Sequence, residues 1–230
     1  MSRRSNAANR CARCHMHASL CVCALIPSPR LETRTRLVLF IHRVEDRKPT
    51  NTGRLATECL ANSDVFVRGH RAHPSQPFTW EGASRPVLLF PHEGATPLAD
   101  FAAESADPVT LVVPDGTWRQ ASKIRKRVPG ISALPCAWLP AAEPTMYRLR
   151  SESHEAGLAT IEAIARAMGI LEGMHVQHAI ERVFRAMVER TLWARGEIAT
   201  ADVSGGVPGG AVRHDPRSGL ARSRSSTTTP

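Results

Sequence analysis

The sequence predicts a mixed α/β domain built around a mostly parallel sheet, and three observations lead to this fold class. Short apolar runs bounded by Pro, Gly or Asp, as buried strands usually are, alternate with segments of helical periodicity. The chain has 230 residues, 42% hydrophobic and 22% charged, which suffices for the core of one ordinary domain. No window approaches the roughly 18 consecutive apolar residues of a membrane span, so the sequence argues against a transmembrane protein.

Strand and helix patterns follow one another along the chain. The apolar runs predict strands over Arg36–His42, Asp64–Arg68, Val87–Phe90 and Val109–Pro114. Apolar residues at helical spacing predict helices over Gly53–Ala61, Trp118–Val128, Leu158–Met168 and about Met174–Arg195. The apolar stripe of the last helix, which includes Val176 and Ile180, indicates core packing. Because parallel sheets bind ligands at the carboxyl ends of their strands, residues following these strands are the first candidates for a site.

The two ends of the chain differ in composition from the body between them. We assign residues 1–30 to a basic N-terminus with a cysteine knuckle, and residues 31–199 to the main domain. Residues 200–230 contain five Gly, runs of Ser and Thr and almost no large apolar residue. This composition predicts a disordered basic tail.

The net charge of +9 lies mostly at the ends of the chain. Residues 1–36 hold seven Arg and one Glu, and residues 200–230 hold four Arg and two Asp, so these ends contribute +6 and +2 and the body +1. Clustered positive charge favours a polyanionic partner, because phosphate contacts release counterions. The alternative is a solvated tail that binds nothing in particular.

Four of the six cysteines form a C-x2-C-x6-C-x-C cluster, namely Cys11, Cys14, Cys21 and Cys23. No apolar run follows the basic N-terminus, so we read no secretory signal and expect a cytoplasmic protein with reduced thiols. Four thiolates in one short loop suit tetrahedral Zn²⁺ in a structural site. His15 or His17 could replace one thiolate, and a metal-free or redox-active cluster is the alternative.

The segment VTLVVPDGTWRQASK carries the most informative candidate site, because a buried strand runs into a helix through Asp115-Gly116-Thr117-Trp118. Gly116 permits close backbone approach, and the start of the helix offers free N–H groups. Asp115 brings a carboxylate to the edge of the sheet. The alternative is that Asp115 or Thr117 merely caps the helix.

A second candidate loop follows the first strand. There, Asn51, Thr52, Gly53 and Arg54 combine hydrogen-bonding side chains, a glycine and a cation directly ahead of a helix. Such a loop could hold a carboxylate or a phosphate. The alternative is a plain helix cap by Thr52 or Asn51, with Gly53 as a spacer.

Cations suited to RNA lie in two further places. Arg119, Lys123 and Arg127 recur every four residues and line one helix face, which either contacts phosphates or is solvated. Tyr147, the only tyrosine, lies beside Arg148 and Arg150. Base stacking combined with phosphate pairing would suit RNA, whereas a salt-bridge cluster at the rim is the alternative.

Taken in order, these motifs resemble the DTW-domain proteins, which are tRNA-uridine aminocarboxypropyltransferases. The resemblance rests on the cysteine cluster, Thr50-Asn51-Thr52-Gly53-Arg54-Leu55, Asp115-Gly116-Thr117-Trp118, Tyr147-Arg148-Leu149-Arg150 and Thr160-x-Glu162-Ala163. It covers roughly residues 11–195 and departs from many relatives at Ala159, where a small hydroxyl or thiol residue is expected. It implies that residues 31–199 form a SPOUT-like α/β catalytic domain with a deep C-terminal knot. Nothing in the periodicity of the sequence indicates a knot.

The resemblance also implies a reaction. A 3-amino-3-carboxypropyl group would pass from S-adenosylmethionine, the co-substrate, to N3 of a tRNA uridine, releasing 5′-methylthioadenosine. Asp115 is the candidate base for the N3 proton. The residues expected to hold donor or uridine are Asn51, Thr52, Gly53, Gly116, Thr117 and Trp118.

The partner implied by the resemblance is tRNA. No obligate protein partner can be read from the sequence, and its apolar runs indicate no membrane span. The RNA-binding candidates are Arg54, Arg119, Lys123, Arg127, Tyr147, Arg148 and Arg150, and the zinc would be structural. Two alternatives stay open: a SPOUT-type RNA methyltransferase that uses the same donor, and a zinc-knuckle RNA-binding protein without catalysis.

Overall fold

The centre of the protein is a six-stranded parallel sheet. A computed structural model describes residues 9–46, 48, 51–69, 84–140, 145–147, 149 and 157–213. The strands are β1 (Arg36–His42), β2 (Ser63–Arg68), β3 (Arg85–Leu89), β4 (Thr96–Pro97), β5 (Val109–Asp115) and β6 (Cys136–Trp138). They lie in the order β2-β1-β5-β3-β6-β4, and each neighbouring pair is parallel.

The burial of the strands follows from their places in this order. All seven residues of β5 and the five central residues of β1 are buried, because both strands have neighbours on each side and helices on each face. Strand β2, at one edge, is only partly buried along its length. The register pairs Ile41 of β1 with Asp115 of β5, so the carboxyl ends of the two central strands lie level.

Six α-helices within the described ranges connect and cover the strands. They are α1 (Arg43–Asp46), α2 (Gly53–Cys59), α3 (Leu98–Ala103), α4 (Trp118–Arg127), α5 (Thr160–Glu172) and α6 (Met174–Arg195). Gly173, at φ +106°, separates α5 from α6, and Gly196 ends α6 in the left-handed conformation. The stripe on α6 that includes Val176, Ile180 and Phe184 is buried, which confirms its assignment to the core.

The helices form two layers. The larger apolar core lies on one face of the sheet, beneath α2, α5, α6 and the cysteine knuckle. The smaller core, on the other face, is formed by Val38, Phe40, Leu88 and Val112 against Ile124 of α4 and the residues that follow that helix. Helix α2, in the connection from β1 to β2, and helix α4, in the connection from β5 to β6, therefore cover opposite faces of the sheet.

The predicted fold class is confirmed, and the four predicted strands are all present with ends shifted by at most two residues. Helix α6 has the predicted bounds, α2 ends at Cys59, and α5 runs from Thr160 to Glu172. Helices α1 and α3 and strands β4 and β6 were not predicted, because two to six residues rarely show a helical or strand period unless they form a continuous apolar run, as β3 does.

The C-terminal region differs from the predicted tail over residues 199–213, which we call the C-terminal strap. The strap contains a 3-10 turn at Thr200–Asp202, and Val203 is buried. Trp193 Nε1 donates to Thr200 Oγ1 at 2.9 Å, and the Ser204 amide donates to Glu189 at 2.5 Å. These contacts dock a polar, glycine-rich segment that its composition alone assigns to disorder. The rest of the predicted tail, residues 214–230, lies outside the described residues.

No helix in the described part of the chain combines the length and apolar character needed to span a bilayer.

Candidate functional site

The candidate site lies where the chain leaves the two central strands in opposite directions. After β1 it passes through α2 to β2, and after β5 it passes through α4 to β6 on the far side of β3. Because α2 and α4 cover opposite faces of the sheet, a crevice opens between the carboxyl ends of β1 and β5. Open α/β sheets bind ligands at such a switch point.

Asp115, the last residue of β5, is the centre of this crevice and is only 4% exposed. Asn51 Nδ2 donates to one carboxylate oxygen at 2.5 Å, and Thr160 Oγ1 donates to the other at 2.5 Å. The loop before α2, the end of β5 and the start of α5 therefore meet at one carboxylate. Each oxygen has a second lone pair, so the group can still accept a proton.

Gly53, the first residue of α2, permits this arrangement. A Cβ at this position would lie 2.9 Å from Asp115 Oδ2 and 3.2 Å from Leu39 Cδ1. Both atoms belong to side chains that are almost completely buried, so neither has room to move away. The glycine is required here for close packing of the helix start on the sheet.

Asn51 has two roles in the site. Its Oδ1 accepts a hydrogen bond from the Arg54 amide at 3.2 Å, which caps α2, while its Nδ2 binds Asp115. Thr52 Oγ1 accepts a hydrogen bond from the Ile161 amide at 3.4 Å, which joins the loop to α5. The capping role that the sequence left open for Asn51 is thus combined with its contact to the central carboxylate.

Burial raises the pKa of the Asp115 carboxyl above its ordinary value, although hydrogen bonds from Thr160, Asn51 and the Gly116 amide oppose the rise. The negative charge of Glu45 acts in the same direction as burial. Glu45 is itself buried, in α1, and pairs with Lys48 Nζ at 2.6 Å. No sequence motif indicated a role for Glu45. The only sequence feature that pointed to this residue was its position just after β1.

The start of α4 is capped by Thr117 rather than by Asp115. Thr117 Oγ1 accepts from the Gln120 amide at 3.3 Å, and Gln120 Oε1 accepts from the Thr117 amide at 2.7 Å. Gly116 adopts φ +146°, which turns the chain from β5 into this cap. Since Thr117 supplies the cap, the Asp115 side chain is left to bind Asn51 and Thr160.

Trp118 presents an aromatic surface beside this turn. Its side chain is 51% exposed, and its ring meets Phe90 edge to face with 5.9 Å between ring centroids. Phe90 directly follows β3, the other neighbour of β5. An exposed tryptophan, supported by a partly buried phenylalanine, therefore lies at the same edge of the sheet as Asp115.

Glu162 holds a third segment near the site. This carboxylate is 3% exposed and accepts hydrogen bonds from Thr145 Oγ1 at 2.5 Å, the Met146 amide at 2.7 Å and the Ala159 amide at 2.9 Å. Ala159 needs no side-chain donor here, because its backbone amide makes the contact. Glu162 thereby ties residues 145 and 146 to the start of α5.

The structure places the predicted RNA-binding residues in different environments. Arg119, Lys123 and Arg127 are exposed on α4 and form no ion pair with any described residue. Arg54 pairs with Asp46. Arg148 and Arg150 lie outside the described residues.

The position of Tyr147 differs from the one expected for a residue that stacks on an RNA base. It is only 4% exposed, and its ring stacks on Phe184 of α6 with 5.8 Å between ring centroids. Burial in the main core leaves the ring unable to stack on a base at the surface. Two neighbouring arginines in the sequence suggested a surface position, whereas the partner that buries the ring comes from a distant helix.

The four clustered cysteines fit a tetrahedral metal site. The Sγ atoms of Cys11, Cys14, Cys21 and Cys23 all lie within 4.8 Å of one another. Cys11 Sγ is 3.5 Å from Cys23 Sγ, and Cys14 Sγ is 3.6 Å from Cys21 Sγ. Four thiolates around one Zn²⁺ at about 2.3 Å lie about 3.8 Å apart, so this arrangement needs little change to hold zinc.

The pKa values of Cys11 and Cys14 are shifted in opposite directions. Burial raises the pKa of Cys14 to about 11. At Cys11 burial acts in the same direction, but hydrogen bonds from the backbone amides of Cys14 and Arg13 outweigh it and lower the pKa to about 6. Deprotonating four adjacent thiols is unfavourable without a positive charge between them, and a bound metal ion supplies that charge.

Most of the chain is similar to one family of known proteins. The profile of the DTW domain matches residues 8–192. The tRNA-uridine aminocarboxypropyltransferase 2 of Drosophila melanogaster is 27% identical over 173 residues, which cover 73% of this chain and 68% of the fly protein. The protein of the same name from Macaca fascicularis is 27% identical over 183 residues, which cover 77% of this chain and 61% of the macaque protein.

Among solved structures, the chain is similar to the SAM-dependent rRNA:acp-transferase Tsr3 from Vulcanisaeta distributa. The sequence identity is 18% and the TM-score is 0.46, over 75% of this chain and 85% of that one.

Proposed function

We propose, because this chain belongs to the DTW domain family, that it transfers a 3-amino-3-carboxypropyl group from S-adenosylmethionine to N3 of a uridine in tRNA. A bond forms between N3 and Cγ of the methionine moiety, which is the carbon of the aminocarboxypropyl group bonded to sulfur. The bond from that carbon to sulfur breaks, and 5′-methylthioadenosine leaves with the methyl group still on its sulfur. The N3 proton passes to a base. The names of the two relatives described above state aminocarboxypropyl transfer to a tRNA uridine, and the chain spans 61–68% of their length.

The observation that carries the proposal is the meeting of three motif segments at Asp115. Asn51, Asp115 and Thr160 come from separate parts of the chain and are joined by two hydrogen bonds at the switch point of the sheet. A carboxylate at that position can accept or orient the proton of uridine N3. Its raised pKa brings its proton affinity closer to that of a weak acid such as this imide.

The residues of this chain position the donor and the uridine, and they do not need to activate the donor. A sulfonium carries three electrophilic carbons and is already activated, so the outcome depends on which carbon faces the nucleophile. We assign the pocket that holds donor and uridine to Asn51, Thr52, Gly53, Gly116, Thr117 and Trp118. Zinc at the cysteine knuckle would supply folding free energy and hold the N-terminal segment, because the knuckle lies on α2 and α6 rather than at the crevice.

The tRNA backbone is assigned to the exposed cations of α4, which begins at the crevice. Arg119, Lys123 and Arg127 have no competing ion pair among the described residues, so phosphate binding does not require breaking one. Arg54 contributes from the rim of the crevice. The SPOUT-like knot and the cytoplasmic location stay predictions.

Product analysis tests the proposed reaction. The purified protein is incubated with S-adenosylmethionine and tRNA that lacks the modification, and both products are identified by mass spectrometry. The expected products are 5′-methylthioadenosine and a uridine enlarged by the aminocarboxypropyl group. S-adenosylhomocysteine together with a methylated nucleoside would instead identify a methyltransferase. Retained tRNA binding with neither product would identify a binding protein without catalysis.

A further inference from the structure

Arg190, on the last turns of α6, lies between the cysteine knuckle and the C-terminal strap. The residue is only 4% exposed. Its Nε donates to the Gly206 carbonyl at 2.9 Å, Nη2 donates to the Gly205 carbonyl at 3.2 Å, and Nη1 donates to the Cys21 carbonyl. One side chain therefore holds two segments that are far apart in sequence, and one of them carries a metal-ligand candidate.

The charge of Arg190 is not balanced by an acidic side chain. No carboxylate among the described residues forms an ion pair with it, and its three acceptors are neutral backbone carbonyls. A buried cation without a countercharge is unfavourable. The guanidinium lies instead against the four-cysteine cluster, because its Nη1 donates to the carbonyl of Cys21.

A divalent metal ion held by the four thiolates would leave excess negative charge at the cluster. Four thiolates carry a charge of −4 and a divalent metal ion carries +2, so the occupied cluster has a net charge of −2. The cluster packs against the main core rather than projecting into water, and Cys14 is 7% exposed. The Arg190 guanidinium, which donates to the Cys21 carbonyl, would offset part of that charge.

The strap also contacts Leu25 beside the knuckle and Glu189 on α6. Gly205 packs so closely on Leu25, just after the cysteine cluster, that a Cβ on Gly205 would lie 3.0 Å from Leu25 Cδ1. The Ser204 amide binds Glu189, the neighbour of Arg190 on α6. The strap lies beyond residues 8–192, so the family match does not account for it.

We propose that Arg190 is a positioning residue that makes metal binding at the four cysteines and docking of the strap one linked equilibrium. The metal centre provides the countercharge that keeps the guanidinium in place, and the guanidinium holds the carbonyls of Gly205 and Gly206. By linkage, a docked strap must then strengthen metal binding as much as bound metal strengthens docking. This inference does not depend on the proposed reaction.

The first test needs no substitution. Hydrogen exchange of the full chain is measured by mass spectrometry with bound zinc and after removal of zinc by a chelator. We expect removal to accelerate exchange at least tenfold at strap residues, while β5 stays protected. Unchanged exchange in the strap after verified zinc removal would overturn the coupling.

Two substitutions of Arg190 separate its charge from its hydrogen bonds. Arg190→Met keeps most of the apolar length but removes both, and we expect zinc affinity to fall by about 10- to 100-fold, as for other residues that support metal ligands. Arg190→Lys keeps the charge but cannot reach three carbonyls at once. We expect its zinc affinity to lie between those of the parent and of Arg190→Met, because the charge is kept but docking of the strap is lost, so strap exchange stays fast.

The matched control is Arg185→Met, an exposed arginine on the same helix. Zinc affinity is measured by competition with a chromophoric chelator, and the absorption spectrum of the Co²⁺ form reports whether four thiolates still bind the metal. Equal zinc affinities for Arg190→Met and Arg185→Met would overturn the proposal. So would an Arg190→Lys variant that binds zinc as weakly as Arg190→Met, since charge would then play no part.

Discussion

Replacing Asp115 by Asn removes the proposed base with little change of shape. Asn51 Oδ1 is engaged by the Arg54 amide, so Asn51 must keep its Nδ2 towards residue 115. The new amide therefore turns its oxygen to Asn51 and its NH₂ group to Thr160, whose hydroxyl can rotate and accept. One hydrogen bond is kept and the other is reversed, so the fold accommodates Asp115→Asn.

The expected effects on stability and turnover differ in size. Two hydrogen bonds to a charged acceptor, at about 1.5–3 kcal/mol each, become two neutral ones at about 0.5–1.5 kcal/mol each. The loss of about 2 kcal/mol is partly offset, because an amide is less costly to bury than a carboxylate. Turnover should fall by about 10²- to 10⁴-fold, the usual contribution of positioned proton transfer.

The assay measures release of 5′-methylthioadenosine in single turnovers, well below the unfolding temperature of each variant. Asp107→Asn is the matched control, because Asp107 is exposed just before the other end of β5. Turnover of Asp115→Asn equal to that of Asp107→Asn would refute the assignment of Asp115 as the base.

The pH dependence gives an independent check. Because burial raises the pKa of Asp115 in the folded chain, the unfolded chain releases this proton at lower pH. The free energy of unfolding should therefore fall as the pH rises between the ordinary and the raised pKa, while turnover rises over the same range. Asp115→Asn should lose both trends, which urea unfolding and rate measurements at several pH values will show.

Three further predictions concern other parts of the molecule. Gly53→Ala places a Cβ 2.9 Å from Asp115 Oδ2, so we expect a loss of about 1–3 kcal/mol in urea unfolding and at least tenfold lower turnover. Replacing Lys123 and Arg127 together should flatten the salt dependence of tRNA binding by about 1.4–1.8 logarithmic units, and a plot that overlays the parent would make this face merely solvated. Elemental analysis should find about one zinc per chain, and Cys14→Ser should lower it; a zinc content that this substitution leaves unchanged contradicts the knuckle.

The sequence was sufficient to predict the parts of the fold that depend on local periodicity. Strands β1 and β5 are continuous apolar runs because both of their faces are covered, and α6 has a long stripe on one side. The position of Asp115 also followed from sequence, because a residue after a buried parallel strand must lie at the carboxyl edge of the sheet.

The partners of these residues were not predictable in the same way. Thr160 meets Asp115 only through the packing of α5, and Glu45 influences the same carboxylate from a four-residue helix without a recognisable pattern. Tyr147 was placed at the surface because its neighbours are arginines, although Phe184 buries it. Contacts between distant segments depend on tertiary packing, which local sequence composition does not indicate.

The convergence of three segments on Asp115 has a consequence for how the protein matures on the ribosome. Translation delivers Asn51 and Asp115 well before Thr160, so β1 and β5 can pair while the carboxylate lacks one of its two side-chain donors. The contact between Thr52 and Ile161 spans 109 residues and carries a loop-closure cost that local contacts avoid. The crevice is therefore completed late, and a nascent chain does not present a complete site until α5 has emerged and docked.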